Sequence, residues 1–93
     1  MTNEELVEKA VEKNGALQLL KTAEECAELN QAILKYVFRP TVENEERIIE
    51  EAGDVLVTIQ YVVLIMGELN VKRAEKKSYD NLKDYLKEEV FYE

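Results

Sequence analysis

Two groups of acidic residues lie within otherwise apolar stretches of the chain. The first covers residues 24–28 (EECAE), and the second covers residues 50–54 (EEAGD). A charge beside a hydrophobic core is unfavourable unless a counter-charge or a bound cation compensates it. Lys21 is the one basic residue that we expect in the vicinity of either group. The pattern therefore predicts a site for a cation.

The spacing within each group predicts which carboxylates share a face. Glu25 and Glu28 are three positions apart, as are Glu51 and Asp54, and residues at that spacing are neighbours on a helix. Two helices joined by a short turn after Pro40 are expected to pack antiparallel, which brings the two pairs together. An all-oxygen ligand set favours Mg²⁺, with Mn²⁺ as the alternative. The chain contains no His, which argues against a ferritin-type di-iron centre and most zinc sites.

Helix start and stop signals predict the elements that carry these groups. Thr2 and Glu5 have the spacing of a capping box, and the helix that follows is expected to end near Gly15. A second, long helix is predicted over residues 16–39, because Pro40 cannot continue it.

Thr41 is the predicted N-cap of a third helix that runs to about Gly67, and Asn70 is the predicted cap of a fourth. The sequence shows no alternation typical of a strand. We therefore expect an all-α fold in which a single domain, residues 1–93, forms an antiparallel bundle of about four helices that is completed by oligomerisation.

Composition limits the classes of partner. The 93 residues carry a net charge of -8, which disfavours nucleic acid and anionic membranes as partners. Residues 55–66 are the most apolar stretch but are too short to span a bilayer, so we expect a buried helix there. The lone Cys26 is expected to be a buried thiol in a reducing compartment, which favours a cytoplasmic location.

The two acidic groups also carry a family resemblance. Glu24-Glu25-x-x-Glu28 followed by Glu51-x-x-Asp54 resembles the EExxE and ExxD signature of the MazG-like, all-α nucleoside triphosphate pyrophosphohydrolases. Residues 17–33 look like the first core helix of that family, and residues 50–57 look like the second.

The resemblance implies a reaction and a set of roles. Glu25, Glu28, Glu51 and Asp54 would bind Mg²⁺, and Glu24 would orient water from outside the ligand set, so that these five acids form the expected catalytic centre. A metal-activated water would hydrolyse a nucleoside triphosphate to a nucleoside monophosphate and pyrophosphate. Family members assemble as dimers or tetramers, so a homodimer or homotetramer is expected.

Candidate substrate contacts each have a simpler structural interpretation. Lys21 could bind phosphate or only pair with Glu25 four positions later, and Tyr61 could contact a base or only pack between helices. Basic and amide side chains after the second acidic group could bind phosphate or only face solvent: Lys76, Lys77 and Asn81.

Two other functions remain open from the sequence. One is a non-catalytic helical module for dimerisation or partner binding. The other is a phosphoribosyl-ATP pyrophosphohydrolase, because Lys21, Glu24, Glu25 and Glu28 satisfy the Lys-x-x-Glu-Glu-x-x-Glu pattern of those enzymes. That related family typically has a His shortly after the second motif, and this chain has none, which disfavours that substrate.

Overall fold

The chain folds into a series of helices. The computed structural model describes the backbone of residues 1–92 and the side chains of residues 1–87. The elements are α1 (Asn3–Asn14), a 3₁₀ turn (Gly15–Gln18), α2 (Leu19–Phe38), α3 (Val42–Met66) and α4 (Glu68–Tyr92). Residues 1–92 contain no strand, so the prediction of an all-α chain is confirmed.

Helices α1 and α3 are capped at their N-termini as the sequence predicts. Thr2 Oγ1 accepts a hydrogen bond from the Glu5 amide at 3.1 Å, and the Glu5 side chain accepts one from the Thr2 amide in return. Thr41 Oγ1 accepts from the Asn44 amide at 3.1 Å. Each cap satisfies an amide that the first turn of a helix leaves without an intrahelical partner. These contacts fix the starts of α1 and α3.

Two predicted boundaries are wrong. Residues 16–18 belong to a 3₁₀ turn, so α2 begins at Leu19. Helix α4 begins at Glu68, directly after Gly67, whose φ of 97° is a backbone conformation that favours glycine. Asn70 therefore lies inside the first turn of α4 and does not cap it; its Nδ2 donates to the Met66 carbonyl at 2.9 Å, satisfying the end of α3.

Among the described residues, helices α2 and α3 form the most extensive contact. Thr22, near the start of α2, contacts Thr58, in the second half of α3, whereas Glu28 lies beside Glu51, which precedes Thr58 in α3. Contacts that advance along one helix and retreat along the other show that the pair is antiparallel, as predicted. Helix α1 packs against α3, and α4 contacts α3.

The α2–α3 contact buries mainly polar residues. Among residues 1–87, Ala32 is the one buried hydrophobic side chain, whereas Thr22, Glu25, Glu51 and Thr58 are all at least nine-tenths buried.

Large apolar side chains remain exposed on the single chain. In the stretch that we expected to be buried, residues 55–66, Leu56 is 71% exposed and Val57 is 57% exposed. Cys26 is also exposed, so its predicted burial is wrong for the single chain. None of the helices within the described residues is both long and apolar enough to cross a membrane. Helical periodicity groups these residues on a face without showing whether the same chain covers that face.

Candidate metal centre

A hydrogen bond between α2 and α3 anchors the helix pair beside the acidic residues. Thr22 Oγ1 donates to the Thr58 carbonyl at 2.8 Å, and both residues are buried. Thr58 Oγ1 in turn donates to the Val55 carbonyl at 3.1 Å within α3. A buried hydroxyl needs a partner, and here the partner is the backbone of the opposite helix. The contact therefore fixes the register in which carboxylates of the two helices face each other.

Three carboxylates converge between the helices. Glu25 and Glu28 of α2 and Glu51 of α3 each offer one oxygen, and these oxygens all lie within 4.8 Å of one another. Glu25 and Glu51 are only 7% and 6% exposed, and Glu28 is half-buried. We call these three residues the carboxylate cluster. Its members come from both acidic groups that the sequence singles out.

A basic residue pairs with one oxygen of each buried carboxylate. Lys21 Nζ lies 3.3 Å from Glu25 Oε1, and Arg47 Nε donates to Glu51 Oε1 at 2.9 Å. Each basic residue stands four positions before its partner on the same helix. The second oxygens, Glu25 Oε2 and Glu51 Oε2, are buried and have no hydrogen-bond partner. Two solvent-shielded acceptors are therefore available for a ligand between the helices.

The crowding of negative charge alters proton binding at the cluster. A hydrogen bond with Glu51, followed by repulsion from the negative charges of Glu25 and Glu51, raises the pKa of the Glu28 carboxyl. The side-chain hydrogen bond with Glu25, together with the negative charge of Glu24, raises the pKa of the Lys21 ammonium. Both pKa values are raised because negative charge is in excess around the cluster.

The donor set fits a hard divalent cation. Two oxygens that bind the same Mg²⁺ ion lie no more than about 4.2 Å apart, and two that bind the same Ca²⁺ ion no more than about 5.2 Å apart. The three cluster oxygens span no more than 4.8 Å, so small side-chain rotations suffice for an ion to reach all of them. The two unpartnered buried oxygens are the groups whose desolvation such an ion would compensate.

The other predicted catalytic residues lie outside the cluster. Asp54 is exposed one turn beyond Glu51 on α3 and is not among the three converging carboxylates. Glu24 is exposed beside Glu25, and its Oε2 lies 3.6 Å from Lys21 Nζ. The structure therefore places Asp54 and Glu24 near the cluster along their helices, with their side chains in solvent.

The predicted substrate contacts are dispersed. Lys21 is half-exposed at the edge of the cluster. Its ammonium contacts Glu25, which belongs to the cluster, and Glu24, which does not. Tyr61 is half-buried and lines a cavity between α1 and α3. Lys76 pairs with Asp80 at 3.2 Å on α4. Two further candidates on α4 are exposed: Lys77 and Asn81.

Arg47 is the residue that sequence reasoning missed. The expectation that Lys21 is the one basic residue near the acidic groups is wrong, because Arg47 reaches Glu51. Its spacing of four positions from Glu51 was the available signal, since side chains at i and i+4 are neighbours on a helix.

The architecture defines a class of protein, namely an all-helical chain in which an antiparallel helix pair gathers carboxylates from both helices. A family model described as the MazG nucleotide pyrophosphohydrolase domain matches residues 13–77. The match covers most of the chain and includes the whole carboxylate cluster, and the chain belongs to this family. No curated protein and no solved structure shows a significant match.

Proposed function

We propose that the protein hydrolyses a nucleoside triphosphate between the α- and β-phosphates, giving a nucleoside monophosphate and pyrophosphate, in a reaction that depends on a divalent cation. Membership of the MazG family supports nucleotide pyrophosphohydrolase activity in general. The observation that carries the metal dependence is the pair of buried, unpartnered oxygens, Glu25 Oε2 and Glu51 Oε2.

The proposed cation is Mg²⁺, with Mn²⁺ as the alternative. Glu25, Glu28 and Glu51 would hold it through the oxygens that already converge, and Asp54 would join from the next turn of α3 by turning its exposed side chain towards the cluster. When bound, the ion supplies neutralisation of phosphate charge and a lower pKa for coordinated water. Without it, a chain with a net charge of -8 would repel a triphosphate.

The roles of the chain's own residues follow from their positions. Glu25 and Glu51 are shielded from water, so their carboxylates interact strongly with a cation. Glu24 remains in solvent beside them and is our candidate for orienting the attacking water. The Lys21 ammonium lies at the rim, where it could reach a phosphate oxygen without losing its contact with Glu25. These roles combine positioning with electrostatic stabilisation.

The proposed assembly is a homo-oligomer in which a second copy covers the exposed apolar surface. A cavity of about 740 Å³ between α1 and α3 is lined by Leu6, Leu56, Tyr61 and Leu64, and three of these four side chains are exposed in the single chain. A chain of this length gains much of its stability by sharing a core. In sedimentation velocity, Leu56→Asp should dissociate the assembly; a monomeric wild-type protein would contradict the proposal.

The reaction is tested by measuring pyrophosphate release from canonical and modified nucleoside triphosphates with and without Mg²⁺. Metal-dependent release together with a monophosphate product is the expected result, and it would also identify the preferred base and sugar. Phosphoribosyl-ATP belongs in the panel, because the first acidic motif matches that related family. A folded protein that binds Mg²⁺ and hydrolyses none of these compounds would favour the non-catalytic helical module.

A further inference from the structure

The two oxygens of the Glu51 carboxylate are in different environments. Oε1 accepts the Arg47 Nε–H at 2.9 Å, whereas Oε2 is buried without a partner. The Glu51 side chain is 8% exposed and that of Arg47 is 53% exposed, so the guanidinium holds the carboxylate from the solvent side.

Arg47 is the one basic residue within ion-pair distance of Glu51 among the described residues. Two other carboxylates, Glu25 and Glu28, each place an oxygen within 4.8 Å of a Glu51 oxygen, and like charges at that distance repel. The terminal torsion of a glutamate side chain is broad, so repulsion could turn the group away at little cost. A charge-assisted hydrogen bond to one oxygen restricts that torsion and fixes where the second oxygen lies.

We infer that Arg47 is a positioning residue for the metal centre: by holding Oε1 it restricts the Glu51 side chain and leaves the buried, unpartnered Oε2 available to bind a divalent cation. This inference rests on the proposed function, because it concerns the affinity of the same site. Lys21 stands in the same relation to Glu25, but it divides its contacts between Glu24 and Glu25 at 3.6 and 3.3 Å. The single, shorter contact of Arg47 makes it the stronger case.

Charge repulsion alone would give the opposite effect on metal affinity. A positive charge close to a cation site repels the cation, so removal of Arg47 would tighten binding if charge alone mattered. The guanidinium is half-exposed, and water screens its repulsion of the ion. Water does not compensate in the same way for a misoriented Glu51 carboxylate, because its oxygen is then no longer where the cation binds. Partners that orient metal ligands typically contribute 10- to 100-fold to metal affinity.

The test is calorimetric titration of Mn²⁺ into the full chain and three variants. Arg47→Met removes both the charge and the donor, whereas Arg47→Gln removes the charge and keeps an N–H donor that can reach a glutamate four positions on. We expect Arg47→Met to weaken Mn²⁺ binding about 10- to 100-fold and Arg47→Gln to restore part of the loss. The control is Arg39→Met, because Arg39 is exposed and has no ion pair among residues 1–87.

The outcomes separate this inference from the proposed function. If the wild-type protein binds no Mn²⁺, the metal centre itself is wrong. If the wild-type protein binds Mn²⁺ and both Arg47 variants bind it equally well or more tightly, the positioning role of Arg47 is overturned. A change in melting temperature without a change in Mn²⁺ affinity would likewise contradict it. If Arg47→Met does not fold by circular dichroism, Arg47→Gln decides: weaker binding supports positioning, and tighter binding refutes it.

Discussion

The α2–α3 contact and helix α4 place polar residues in opposite environments. Between α2 and α3, Glu25 and Glu51 are almost completely buried, and one oxygen of each forms an ion pair with a half-exposed basic residue. On α4, the pair between Lys76 and Asp80 has the same four-residue spacing, and both side chains are more than half exposed. The difference shows that spacing predicts an ion pair, whereas burial decides whether its charges can serve as a binding site.

The largest expected effect is the loss of activity on neutralising a buried carboxylate. Glu51→Gln keeps an acceptor for Arg47 but removes the charge that a cation needs. We expect Mg²⁺-dependent turnover to fall by at least about 100-fold, or ~2.7 kcal/mol of transition-state stabilisation. The matched control is Glu50→Gln, a change at the exposed neighbouring position on α3. Equal activity in the two variants would contradict the assignment of Glu51.

Features of the site that depend on local contacts were predictable from the sequence. The caps at Thr2 and Thr41 depend on local contacts, and the spacing rules located them correctly. The convergence of Glu28 with Glu51 followed from two helices joined by a short turn. These predictions succeed because each depends on a few neighbouring residues or on one hairpin.

Predictions that depend on long-range contacts were less reliable. The exposure of Cys26 and Leu56 is decided by what packs against their helices, and periodicity carries no such information. Asp54 lies one turn from Glu51 and is exposed in the single chain, so its role as a metal ligand stays a prediction. The start of α4 was missed for a local reason, because the positive φ at Gly67 permits a connection of one residue between two helices.

The next largest effect is expected at the hydrogen bond that fixes the register of α2 and α3. Thr22→Val removes the donor and leaves the buried Thr58 carbonyl without this partner, so the free energy of unfolding should fall by about 1–3 kcal/mol. The comparison is Thr58→Val, which loses only a contact within α3 and should cost less than ~1 kcal/mol. Chemical denaturation measures both, and the reverse order would show that the register is held elsewhere.

A pH dependence is expected at the carboxylate cluster. Because the folded state raises the pKa of Glu28 above its ordinary value of 4.5, protonated Glu28 favours folding, and this contribution is lost as the pH rises through the raised pKa. Without divalent cations, the free energy of unfolding of the wild-type protein should therefore fall more steeply above pH 4.5 than that of Glu28→Gln. Parallel pH profiles for the two proteins would be inconsistent with this coupling.

The smallest effect is expected on α4. Lys76→Met removes the exposed pair with Asp80 and should change the free energy of unfolding by less than ~0.5 kcal/mol. Thermal unfolding in low and high salt measures this, since an exposed pair weakens as ionic strength rises. A larger loss would mean that α4 is not solvated on this side, for example because a second copy packs against it.

The central claim is that the buried carboxylates form a divalent-cation site, and the most direct test is the free energy of unfolding as a function of Mg²⁺ concentration. The control is NaCl at matched ionic strength, because any salt screens the net charge of -8. The account predicts an additional stabilisation by Mg²⁺ that reaches about 2.7 kcal/mol at 100 times the dissociation constant and disappears in Glu51→Gln. Identical stabilisation by Mg²⁺ and NaCl would contradict the account.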